Sequence, residues 1–265
     1  MLKQRIITAV ILVALLGVIV LFLPPVALLL TLAIAMSLGI WEWSQFVNKT
    51  SLLWRLSYVV AVLSLMSGLW FFSFEPGALQ LILLIALAWW LVALIWVMRY
   101  PTAIPVWVAA LSGMLILAPA WLSLSRLLAT ENGLDWVIFI LLLVWATDVG
   151  AFTVGKLIGR IKLIPRVSPG KTWEGLIGGI VFTTIVAFAG AEYFQHDKLG
   201  FVSLCLAASA ISVVGDLTVS IFKRHGGLKD SGTVFPGHGG LLDRIDSICS
   251  AAPIFVLGLV WQGVI

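Results

Sequence analysis

The chain has 265 residues, of which 62% are hydrophobic and only 11% charged, with a mean hydropathy of +1.14. A soluble domain carries about 25% charged residues, so a water-facing globule is excluded and the lipid bilayer is the expected solvent. Its two cysteines, Cys205 and Cys249, lie in apolar stretches and offer neither a disulfide framework nor a thiolate metal site. The net charge of +4 comes from basic residues that form no single soluble patch, which argues against nucleic acid as a partner.

The basic N-terminus, Met1 to Arg5, leads into an apolar run from Ile6 to Leu23. That run exceeds the roughly 7–15 residues of a signal-peptide core, and Pro24 and Pro25 follow without a small-residue cleavage pattern. A retained first span is expected. A transmembrane helix needs about 20 mostly apolar residues. Nine stretches qualify, at 6–23, 26–47, 56–73, 78–98, 105–127, 136–155, 174–195, 199–222 and 245–265. Polar or Gly/Pro punctuation separates them, such as Glu75-Pro76-Gly77 and Arg99-Tyr100-Pro101. The expected fold is an all-α polytopic membrane protein of about nine spans.

With the N-terminus in the cytoplasm, 14 of the 16 Lys and Arg residues fall inside, leaving only Arg126 and Lys198 outside. The positive-inside bias therefore predicts a cytoplasmic N-terminus and an external C-terminus. Between Asp148 and Asp246 lie 18 of the 28 charges. One integral membrane domain is expected, with residues 1–135 as scaffold and 136–265 as its catalytic half.

Two cytoplasmic loops are rich in Lys, Arg and Gly, the residue types that bind phosphate by charge and close backbone approach. They run from Lys156 to Trp173 and from Lys223 to Arg244. Topology signalling accounts for the basic residues but not for the acids. Asp148 and Asp216 lie inside spans, where a carboxylate is expensive and marks function by default. Both sit about 10–12 Å below the cytoplasmic helix ends. Asp243 and Asp246, three apart, share a helix face. Four carboxylates beside basic loops suggest a Mg²⁺ site, since Mg²⁺ takes carboxylate oxygens together with substrate phosphates. Asp216, Ser220 and Lys223 form a polar stripe on one helical face.

Two other motifs fail. Gly170-Lys171-Thr172 imitates the end of a P-loop, but Pro165 stands where the first glycine belongs. No Asp is followed by Gly, which argues against a CDP-alcohol phosphotransferase. The run Ser220 to Asp246, SIFKRHGGLKDSGTVFPGHGGLLDRID, resembles the signature of the phosphatidate cytidylyltransferase family. Its fixed positions are met by Ser220, Lys223, Arg224, Lys229, Asp230, Gly232, Pro236, His238, Gly239, Gly240, Asp243, Arg244 and Asp246. The segment Ser168-Pro169-Gly170-Lys171-Thr172-Trp173-Glu174-Gly175 is similar to a second motif, and Thr147-Asp148 with Gly155-Lys156 to a third.

The resemblance implies that CTP and phosphatidic acid give CDP-diacylglycerol and pyrophosphate, with Mg²⁺ required. It leaves room for a second, monovalent ion and for a homodimer. Asp216, Asp243, Asp246 and Asp148 become the expected metal ligands. Lys223, Arg224, Lys229, Asp230, His238 and Arg244 become catalytic candidates, and Ser220, Lys171, Ser168, Gly239 and Gly240 substrate contacts. The implied location is the cell's inner (plasma) membrane, crossed several times, with the site facing the cytoplasm. A CTP-dependent lipid kinase is the nearest rival, distinguished by whether α-phosphorus label enters the lipid. A secondary transporter would favour inverted repeats, and none is present in the sequence.

Overall fold

The computed structural model of the protein describes residues 22–234 and 239–265, together with Gly17. The expected first span lies almost wholly outside the described residues, as does His238. Eight helices there are long and apolar enough to cross a membrane. They are α1 (Pro25–Val47), α2 (Leu52–Phe72), α3 (Ala78–Arg99), α4 (Val106–Leu128), α5 (Gly133–Ile158), α6 (Trp173–Tyr193), α7 (Lys198–His225) and α8 (Leu242–Trp261). Each coincides with one of the spans expected from 26–47 onward, with shifted ends. α5 runs on through Lys156, and α7 through Lys223, Arg224 and His225. Basic side chains favour the last turn of a helix, where the carbonyl ends of the peptide dipoles gather, so these residues extend the helices instead of ending them.

The expectation of an all-helical protein needs one correction. Between α5 and α6 the chain forms an antiparallel hairpin, β1 (Lys162–Ile164) with β2 (Ser168–Thr172). Lys162 pairs with Thr172 and Ile164 with Ser168. Strands this short, flanked by Pro165 and containing Pro169, carry no alternating apolar face to announce them.

α7 and α8 form the centre of the bundle. In their most apolar windows 67% and 78% of residues are buried inside the protein, against 17% for α2, whose apolar side chains therefore face lipid. α7 packs along α8, α5 along α6, and α1 along α4. In lipid, helices associate through close packing of small residues and interhelical hydrogen bonds, and the α5–α6 seam uses both. A Cβ at Gly150 would stand 2.7 Å from the Gly178 carbonyl oxygen, and one at Gly178 2.4 Å from Val154. Deeper along this seam, Thr147 lies 2.8 Å from Thr183 and 2.8 Å from Ser209, which are themselves 3.0 Å apart. This buried hydroxyl triangle ties α5, α6 and α7 together beside Asp148. At the opposite end, Trp136 stacks on Phe194 with centroids 3.7 Å apart, and Phe139, Phe201 and Phe255 close round them.

Gly178→Leu should therefore force α5 and α6 apart, at a cost of about 1–3 kcal/mol or more. Gly68→Ala, on the lipid-facing α2 with open space at its Cβ position, should be neutral or gain up to about 1 kcal/mol in helix propensity. Thermal unfolding of the two variants in detergent should separate them, with only Gly178→Leu melting early.

Candidate active site

The hairpin owes its position to the ends of its own motif. Thr172 caps α6 by accepting the Gly175 N–H at 3.1 Å, and the Trp173 N–H donates to the Ile161 carbonyl at 2.9 Å. Both oxygens of Glu174 accept the Ile161 N–H, at 3.1 and 3.2 Å. Gly175 has no Cβ because Thr172, the Ala151 carbonyl and Gly155 fill that space. The hairpin is thus pinned to the start of α6, and Lys171, the penultimate residue of β2, reaches Asp216 on α7. The Lys171 Nζ–Asp216 Oδ2 distance is 2.8 Å, and the two side chains keep 26% and 32% of their exposure. The pair is open to whatever occupies the space around it.

The second ion pair is different. Lys223, in the last turn of α7, meets Asp243 in the first turn of α8 at 2.7 Å, with only 10% and 8% exposure. The other Asp243 oxygen accepts the N–H groups of Ser231 at 2.8 Å and Gly240 at 3.0 Å. Asp243 therefore closes the 226–241 connection on itself, and protein donors engage both of its oxygens.

Asp246 is buried one turn further along α8, and one of its oxygens accepts the Ser247 N–H at 2.9 Å. It interacts electrostatically with Asp216, Lys223 and Lys171. α7 can come this close because Gly215 lacks a Cβ, which would stand 2.8 Å from the Asp246 carbonyl oxygen. Asp148, on α5, interacts electrostatically with Asp216, Lys171 and Arg244. Ser220, one turn further along α7, donates to Asp216 at 3.4 Å. Lys171, Lys223, Arg244, Asp148, Asp216 and Asp246 thus share one electrostatic neighbourhood.

Other candidates lie elsewhere. Arg224 is exposed at the end of α7 and donates to the Leu228 carbonyl at 3.4 Å. Lys229 and Asp230 are exposed on the connection and form no ion pair among the described residues. Ser168 opens β2 opposite Ile164. Gly239 and Gly240, read from sequence as substrate contacts, have a packing reason to be glycine. A Cβ at Gly239 would stand 2.6 Å from Asp243, and one at Gly240 2.4 Å from Glu42.

The expected convergence of four carboxylates on a metal also needs revising. No group of three or more His, Cys, Asp or Glu side chains is arranged as a ready ligand set among the described residues. Asp243 faces Lys223 and the loop amides, Asp216 pairs with Lys171, and Asp246 accepts the Ser247 N–H. The residue that sequence reading missed is Glu42, a buried carboxylate on α1. It accepts from Ser231 Oγ at 3.0 Å, the Leu241 N–H at 2.9 Å and the Leu242 N–H at 2.7 Å. The rule that singles out Asp148 and Asp216, a carboxylate within a span, applies equally to Glu42.

A model of the cytidylyltransferase family matches residues 3–261. The chain is 38% identical to a phosphatidate cytidylyltransferase of Haemophilus influenzae, over 96% of this chain and 97% of that protein. It is 41% identical to a phosphatidate cytidylyltransferase of Pseudomonas aeruginosa, over 98% and 97%. A Staphylococcus aureus protein of the same name aligns at 42% identity over 49% of this chain and 51% of its own.

The two lysines should differ in what they hold. Lys223→Gln leaves Asp243 buried without a countercharge, which should cost on the order of 3 kcal/mol. Lys171→Gln breaks a less buried pair, so its cost should be smaller. Comparing the thermal midpoints of the two purified variants checks the order.

Proposed function

The chain belongs to the cytidylyltransferase family, and we propose that its reaction joins CTP and phosphatidic acid into CDP-diacylglycerol and pyrophosphate. The observation that carries the residue-level reading is the half-open Lys171–Asp216 pair with Asp148, Asp246 and Arg244 around it. Cations and carboxylates gather there at the ends of helices that otherwise lie in lipid, where an amphiphile and a nucleotide can meet.

A phosphate monoester has a second pKa near 6, so at neutral pH phosphatidic acid is mostly a doubly charged nucleophile. No strong general base is needed. One of its oxygens forms a bond to the α-phosphorus of CTP, the bond from that phosphorus to the bridging oxygen breaks, and pyrophosphate leaves with the electron pair. The obstacle is repulsion between two anions, which lysine and arginine clamps relieve by neutralising and aligning the phosphate oxygens. Lys171, Arg224, Lys229 and Arg244 are assigned to that work. Lys223, committed to Asp243, sets the position of the connection that carries Lys229.

The donor set fits a hard cation. Asp216 and Asp246, with Asp148 beside them, offer carboxylate oxygens, and Mg²⁺ characteristically takes only one or two carboxylates plus water and substrate phosphates. Bound there it would supply further charge neutralisation at the reacting phosphates. Asp243 is assigned to positioning, since protein donors already engage both its oxygens.

The bias of Lys and Arg toward one set of connections supports a cytoplasmic site in the inner membrane, a cytoplasmic N-terminus and an external C-terminus. In a background lacking Cys205 and Cys249, Gly170→Cys on the hairpin should be labelled from the cytoplasmic side and Glu131→Cys from the other. Both positions are exposed, and a Cβ at Gly170 meets nothing within 4 Å. The reverse pattern would overturn the orientation.

Purified protein given Mg²⁺, phosphatidic acid and CTP labelled at the α-phosphorus should place label in the lipid. Label appearing there only from the γ-phosphorus would identify a lipid kinase instead. Asp246→Asn should purify as a folded protein with turnover reduced by roughly a hundredfold or more. Wild-type turnover and Mg²⁺ dependence in that variant would remove Asp246 from the reaction.

A further inference from the structure

We propose that Glu42 is a positioning residue of the reaction: from α1 it fastens both ends of the 231–242 segment, and so fixes the frame in which Asp243, Arg244 and Asp246 stand. The proposal rests on the reading that this segment is catalytic. Glu42 is only 4% exposed, yet no cation pairs with it among the described residues. Among the described residues its charge is met by donors of the distant segment. One oxygen takes the Leu241 N–H, while the other takes both the Leu242 N–H and Ser231 Oγ. Leu241 and Leu242 begin α8, where N–H groups lack intrahelical acceptors, so the carboxylate caps that helix from outside.

Three further contacts make the arrangement a clasp rather than a chance set of bonds. Gln45, one turn along α1, donates from its side chain to the Ser231 carbonyl. A Cβ on Gly232 or Gly240 would come within 2.4 Å of a Glu42 oxygen, so the segment is shaped to admit the carboxylate. α1 itself is held in register, since Trp43 donates to the Ala109 carbonyl at 2.9 Å and packs 4.8 Å from Phe222, next to Lys223. Asp243 takes the remaining amides at the same two places, Ser231 and Gly240. Two carboxylates on different helices therefore share the described donors at the two ends of one loop.

Glu42→Gln tests this with almost no change in volume. The amide retains one acceptor oxygen and turns an NH₂ group toward a backbone N–H, so at least one of the three bonds must open. Turnover should fall roughly ten- to a hundredfold, and in the intact detergent-solubilised chain trypsin should cut selectively at the exposed Lys229. Ser231→Ala should give a smaller loss of the same kind. The loss in the double variant should fall short of the sum of the two single losses, because both changes loosen the same clasp. Met36→Ala, a packing lesion on the same helix, should lower the thermal midpoint without selective cleavage. Additive losses for Glu42→Gln and Ser231→Ala would overturn the clasp, as would unchanged Lys229 cleavage with unchanged turnover. Selective cleavage with full turnover would overturn the proposal through its premise, that the loop is catalytic. If Glu42→Gln does not fold, Ser231→Ala and Gln45→Ala carry the same comparison, and wild-type behaviour in both defeats it.

Discussion

A carboxylate that leaves water for a bundle embedded in lipid loses its hydration, at several kcal/mol per ion even after relaxation. It persists only where the fold returns donors or cations, and the architecture around the site follows from how that requirement is met. Asp243 is answered by Lys223 and two amides, and Glu42 by two amides and a hydroxyl. Asp216 is answered by Lys171 and Ser220. The first two are sealed and give the connection between α7 and α8 its shape. The third keeps part of its exposure and joins the hairpin to α7 without shaping that connection.

The small residues of the signature acquire a physical reason from the same requirement. Gly239, Gly240 and Gly232 surround the oxygens of Asp243 and Glu42 at distances no Cβ could occupy. Gly239 also has a backbone φ of +80°, which L side chains rarely adopt. Gly215 performs the corresponding service between α7 and α8, bringing Asp216 toward Asp246. In the SPGKTWEG motif the cap, the clasp on Ile161 and the close approach of Gly175 to Gly155 leave Lys171 as the residue with a free task.

The spans were legible because bilayer thickness translates directly into a run of apolar residues. Their ends were less so, since Lys156 and Lys223 read as loop residues yet favour a helix C-terminus. The hairpin could not be read: Lys162–Ile164 and Ser168–Thr172 are too short and too rich in proline to show a period. Carboxylates inside spans were legible as candidates from their energetic cost alone. What those carboxylates face was not legible, because most donors to Asp243 and Glu42 are backbone amides, which leave no mark in a sequence. Glu42 obeys the same rule as Asp148 but stands as a lone charge in its span, far from the charge-rich stretch between Asp148 and Asp246.

The clasp has a consequence for the order in which the protein is made. Glu42 belongs to the first fully described helix, while its donors lie 189 to 200 residues further along the chain. A polypeptide delivered to the membrane from its N-terminus therefore carries this acid through the insertion of six further helices before any of its native partners exists. Its contacts are among the most distant in sequence that the fold contains, the kind that chain-closure entropy makes late and slow. The site is thus completed only when α8 arrives and Glu42 meets the groups that neutralise its cost.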